Sequence, residues 1–63
     1  MEPEALGDLM TTGEVAAMLR TSENTLRWWR YNGRGPTSFL VGRHVRYLRA
    51  DVERWVRDQR DAC

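Results

Sequence analysis

Residues Thr12–Asn32 read TGEVAAMLRTSENTLRWWRYN, and their pattern predicts two short helices joined by a tight polar turn. Thr11 and Glu14 have the spacing of a capping box, in which each satisfies a backbone N–H of the other's turn. Met10 and Val15 then fall at the two positions of a hydrophobic staple. The first helix should run to about Leu19, with Val15, Ala16, Met18 and Leu19 as its apolar side. Arg20-Thr21 turns the chain, Ser22 is the N-cap of the second helix, and Thr25 stands at its third position. That helix should end near Tyr31, with Gly33 placed to adopt the left-handed conformation that stops it. At about 100° per residue, Leu26, Trp29 and Arg30 share one side. Asn24, Arg27, Trp28 and Tyr31 share the other. One face packs while the other is free to read a ligand.

Beyond this pair, Gly35-Pro36 breaks the chain. Thr37–Val41 and His44–Leu48 are β-prone, and Gly42-Arg43 between them suits a two-residue hairpin turn with glycine first. Alternation assigns Phe39, Val41, Val45 and Tyr47 to one side of the ribbon and Ser38, His44 and Arg46 to the outward side. A last helix is expected over about Ala50–Gln59, with Val52, Trp55 and Val56 at core spacing. Two strands alone are unstable in water, so the hairpin must pack on the helices. The fold class is α+β, mostly helical, in the order helix-helix-strand-strand-helix. This is a winged helix-turn-helix domain over residues 9–60, after a loose acidic arm at 1–8 and before a short tail at 61–63.

A 63-residue chain makes one small domain, which buries only about 60% of its unfolded surface. Trp28, Trp29 and Trp55 offer dense packing material. One cysteine, Cys63, excludes an internal disulfide, and with the single histidine, His44, it cannot complete a metal site. His44 is read as a surface residue of the hairpin. No cofactor is expected, no membrane span of about 18 apolar residues occurs, and no catalytic constellation appears, so the chain is not expected to be an enzyme. A cytoplasmic location follows as the simple expectation. Net charge is only +1, but it is unevenly spread. Residues 1–10 carry Glu2, Glu4 and Asp8 and no base, for −3. Residues 11–49 carry Arg20, Arg27, Arg30, Arg34, Arg43, Arg46 and Arg49 against Glu14 and Glu23, for +5. Residues 50–63 carry Arg54, Arg57 and Arg60 against Asp51, Glu53, Asp58 and Asp61, for −1. A basic middle between acidic ends orients a molecule on a polyanion, here double-stranded DNA. Every base is arginine, whose planar fork matches phosphate and guanine.

The run Thr25-Leu26-Arg27-Trp28-Trp29-Arg30 followed by Gly33 resembles the Thr-Leu-Arg-aromatic-aromatic signature of MerR-type winged helices. With Pro36, Val41-Gly42-Arg43, Val45-Arg46-Tyr47 and Ala50-Asp51-Val52-Glu53-Arg54-Trp55-Val56, the ordered set is similar to small phage excisionases, the recombination directionality factors. The resemblance spans about Leu9 to Val56. It implies that Arg27 and Trp28 approach the DNA backbone. It also implies partners: an integrase, and further copies of the chain head-to-tail on adjacent sites. Two departures stand out. Ala50 occupies a position where the family often has a capping serine, which should cost about 1 kcal/mol unless Asp51 compensates. The long dimerising helix of MerR regulators has no counterpart before Cys63, so a MerR-style dimer is not expected.

The residues expected to touch DNA lie on two elements. On the second helix they are Ser22, Asn24, Thr25, Arg27, Trp28, Arg30 and Tyr31, and on the hairpin Gly42, Arg43 and Arg46. Ser22 serves as a cap or a phosphate donor, and Asn24 caps the helix or pairs with adenine. Arg27 contacts a base or phosphate, or else forms a surface pair with Glu23. Trp28 either packs under the hairpin or presses on the sugar-phosphate backbone. Arg43 at the hairpin tip suits a narrow minor groove. The expected function is sequence-specific binding and bending of attachment-site DNA to direct an integrase toward excision. The alternative is a small MerR-like prophage transcriptional regulator, and a third reading is a protein-interaction adaptor.

Overall fold

The computed structural model describes residues 8–62. In chain order the elements are β1 (Leu9–Thr11), α1 (Thr12–Leu19), α2 (Glu23–Tyr31), β2 (Phe39–Val41), β3 (His44–Leu48) and α3 (Arg49–Ala62). The expected order of helices and hairpin strands is present, and β1 is an addition. Both helix starts follow from their caps. Thr11 Oγ1 accepts from Glu14 N at 3.1 Å while Glu14 Oε1 accepts from Thr11 N at 2.9 Å. Ser22 Oγ accepts from Thr25 N at 3.1 Å. The stops are also local. Arg20 ends α1 in the left-handed region, at φ 57° and ψ 46°, and Thr21 N donates back to Ala16 O at 2.9 Å. At the end of α2, Arg34 N donates to Trp29 O at 2.7 Å, with Gly33 at φ +67° as its position predicts.

The three strands form an antiparallel sheet in the order β1-β3-β2. Leu9 faces Leu48, Met10 faces Tyr47 and Thr11 faces Arg46. Asp8 O accepts from Arg49 N at 2.9 Å, which continues that ladder by one step into α3. Across the hairpin, Val41 faces His44, Leu40 faces Val45 and Phe39 faces Arg46. This register corrects the expected alternation. A two-residue turn makes directly opposed residues differ in parity, so odd positions on β2 share a face with even positions on β3. Phe39 and Val41 therefore lie with His44 and Arg46, and Leu40 lies with Val45 and Tyr47. All three β2 residues are exposed, Leu40 most of all at 67%. Thr37 and Ser38 belong to the loop before β2.

Met10, Val15, Ala16, Leu26, Tyr47 and Val52 form the core, one contribution or more from β1, β3 and each helix. Leu19, Trp29 and Val45 pack against it. Met18 and Val56, which have core spacing, are exposed instead. Trp29 and Trp55 meet at 5.2 Å with their rings tilted by 46°, as suits aromatic pairs. Trp28 is 53% exposed on the other side of α2, with the Arg34 guanidinium 5.7 Å from its ring. The two tryptophans thus separate as the helical spacing predicts, and Trp28 settles against Arg34. α3 starts at Arg49, directly after β3, and runs to Ala62. Ala50 is thus the second residue of the helix and not the cap that the resemblance implies, and Asp51 brings negative charge to the first turn. The expected arm falls at residues 1–7 and Asp8. Residues 1–7, like Cys63, lie outside the described part of the chain.

Gly35 holds the α2–β2 loop against the tryptophan pair. Its φ is +81°, and a Cβ there would stand 3.0 Å from Trp29 Cε3 and 3.1 Å from Trp29 Cβ. Gly33 has a similar φ with nothing within 4 Å. Gly35→Ala should therefore cost about 1–3 kcal/mol for the backbone alone, plus the steric term that Gly33→Ala escapes. Urea denaturation of the two variants checks this, and equal midpoints would remove the packing role given to Gly35.

Candidate nucleic-acid interface

α2 and the β2–β3 hairpin border one open concavity of about 650 Å³. Glu23, Arg27 and Arg30 line it from α2, and Arg43, His44, Val45 and Arg46 from the hairpin. Its floor is the start of α1, Thr11, Thr12 and Gly13. Four guanidinium groups from two elements thus border a single hollow. The i, i+3 spacing of Arg27 and Arg30 carries one pair of them, which corrects the expected placement of Arg30 on the side of Leu26 and Trp29. The hairpin turn carries Arg43, because Gly42 takes φ +64° and lets the chain reverse in two residues.

Arg27 is exposed and held in place. Its Nη1 donates to Asn24 Oδ1 at 2.5 Å, and its Nη2 lies 3.6 Å from Glu23 Oε1. The Glu23 pair is worth only about 0.3–0.5 kcal/mol at such exposure, so it orients the guanidinium more than it stabilises the helix. The Asn24 carbonyl is engaged by Arg27, which makes the two side chains one polar unit. Ser22 and Thr25 are joined by a 2.9 Å hydroxyl contact on top of the capping bond. Both hydroxyls therefore serve the start of α2. Arg30 is half-buried, with its guanidinium 5.4 Å from the Tyr31 ring. Tyr31 is 78% exposed and, like Trp28, lies outside the hollow, on the flank of α2. Arg46 is half-buried and donates from Nη1 to Val45 O at 2.7 Å. His44 is a surface residue of the hairpin, as expected.

The site-forming residues that the sequence reading passed over are Thr11, Thr12, Gly13, Glu23, His44 and Val45. The first three are recognisable in sequence only as a cap and helix start. Glu23 is recognisable only as the i−4 partner of Arg27.

A comparison with protein-family models matches residues 9–60 to the family described as Helix-turn-helix domain. The chain belongs to this helix-turn-helix family. A helix-turn-helix domain supports sequence-specific DNA binding, and here the concavity lies between its second helix and its wing. No curated protein and no solved structure matches the chain. The helix-turn-helix domain has a second hollow of about 420 Å³ on the far side of α2, lined by Trp29, Gly33, Arg34, Gly35, Trp55 and Gln59. Among the described residues no helix is long and apolar enough to cross a membrane, and no group of three potential metal-ligating side chains forms.

Proposed function

We propose that this helix-turn-helix protein is an excisionase, a recombination directionality factor that binds and bends attachment-site DNA and directs a phage integrase toward excision. It acts on DNA in the cytoplasm of the host cell and catalyses nothing itself. The observation that carries the reading is the concavity shared by α2 and the arginine-tipped hairpin. Its family includes excisionase-like DNA-binding proteins, which supports the finer role.

In this account α2 enters the major groove by its N-terminal end. Arg27, steadied by Asn24, meets a base edge there, while Ser22 and Thr25 hold the helix start near a phosphate. Arg30 and Arg46 neutralise phosphates beside the hollow. Trp28 and Tyr31 rest on the sugar-phosphate backbone along the flank. Gly42 lets Arg43 reach an adjacent minor groove, where negative potential is strongest when the groove is narrow. Gripping two successive grooves from one rigid body favours a bent duplex. One module of this size has modest specificity, so copies bound head-to-tail on adjacent sites raise occupancy through their combined valency.

Arg43→Ala should weaken binding more on AT-rich than on GC-rich flanks, and lower the slope of log affinity against log salt by about 0.9 if one charge contact is lost. Equal losses on both flanks, read by fluorescence anisotropy, would contradict minor-groove insertion. The role itself is tested by mapping occupied sites in the protein's own genome and measuring excision after its gene is deleted. Direct repeats beside an attachment site, with excision lost on deletion, are the expected result. Occupancy confined to promoters, with excision intact, would instead identify a transcriptional regulator.

A further inference from the structure

A carboxylate among four arginines is out of place in a surface built only to hold phosphates. Glu23 is the first residue of α2 and lines the concavity beside Arg27, Arg30 and Arg43. Both members of the Glu23–Arg27 pair are about half exposed, so both are open to a ligand. Glu23 Oε2 stands 3.0 Å from the place a Cβ on Gly13 would take. The bare glycine at Gly13 thus leaves room for the carboxylate between the start of α1 and Arg27. A negative charge there repels phosphate and lowers general affinity for a polyanion. Against base edges it discriminates. A carboxylate only accepts hydrogen bonds, so it matches the exocyclic amine of cytosine and meets only acceptors on guanine O6 and N7 or thymine O4, while on adenine the N6 amine stands beside the N7 acceptor, which repels it.

We infer that Glu23 is a specificity-determining residue, which accepts a hydrogen bond from the N4 amine of a cytosine beside the base contacted by Arg27. The inference rests on the proposed major-groove placement of α2.

The test compares the wild-type chain with Glu23→Gln against a duplex library carrying every base at each position of the preferred site. The wild type should disfavour replacement of one particular cytosine by thymine by about 10-fold. In Glu23→Gln that penalty should fall below about threefold, adenine should gain at that position because an amide pairs with it bidentately, and preferences elsewhere should stay. Binding to non-specific duplex should tighten. The same base profile in both proteins would overturn the inference while leaving the DNA-binding reading intact, as would a uniform loss at all positions. No base preference in the wild type would overturn both. Thermal melting of the variant separates altered reading from unfolding: if Glu23→Gln has unfolded, the carboxylate is structural and the inference fails.

Discussion

Tyr47→Ala is expected to lower the stability of the domain by about 3–5 kcal/mol. Tyr47 is the largest side chain of the core and is 1% exposed. It sits on the central strand, opposite Met10 of β1, in the cluster that joins the sheet to Val15, Leu26 and Val52 of the three helices. Removing a large buried aromatic costs about 3–5 kcal/mol, through lost transfer energy and the cavity left behind. A domain of this size has only about 3–9 kcal/mol of total stability. The loss therefore removes at least about a third, and up to all, of what holds the domain together. Tyr47→Phe keeps the ring and should lose far less. Circular dichroism against urea checks both, and a Tyr47→Ala protein with a wild-type midpoint would mean that the helices cohere without the sheet.

Arg27→Ala should leave the fold intact and weaken specific DNA binding by about 1–3 kcal/mol, if the guanidinium grips a base bidentately. The structural cost is small because the side chain is exposed and its Glu23 pair is weak. The binding cost is larger because Arg27 leads the α2 side of the concavity, and its loss also frees Asn24 and strands the Glu23 carboxylate. Arg27→Lys should not rescue it, since an ammonium lacks the planar fork. Titrations of cognate and random duplexes separate the two effects. A loss of equal size on both would assign Arg27 to phosphate.

Local signals in this sequence place its elements, and non-local ones do not. Thr11 with Glu14, Ser22, Gly33 and Gly42 each act within a few residues of themselves, and each places an element boundary where the structure has it. The packed side of α2 is readable in Leu26 and Trp29, whereas Arg30, expected with them, lines the hollow beside Arg27, and Trp28 and Tyr31, expected with Arg27, lie outside it. β1 is not readable. Its three residues carry too short a pattern to announce a strand, and its pairing with β3 closes a long loop of chain. The parity of the hairpin was missed for a geometric reason, since periodicity was continued through a turn that inverts it. Met18 and Val56 have core spacing, yet burial depends on what stands opposite, and nothing in the sequence supplies that. Ala50 is not a cap because α3 begins one residue earlier, at Arg49, directly after β3, a boundary that the pairing of Arg49 N with Asp8 O shares with the sheet. In the site, the arginines were readable as donors for a polyanion, whereas Glu23 acquires meaning only when the fold seats it over Gly13.

If α2 and the hairpin act as one surface on a duplex, DNA must perturb both together. Amide chemical shifts of the labelled protein, followed as cognate DNA is added at rising salt, read this residue by residue. Salt-sensitive changes are expected at residues 22–28, 30, 31 and 42–46, with Gly35, Trp55 and Gln59 of the second hollow undisturbed. Changes centred on that second hollow, or on α2 with the hairpin silent, would contradict it.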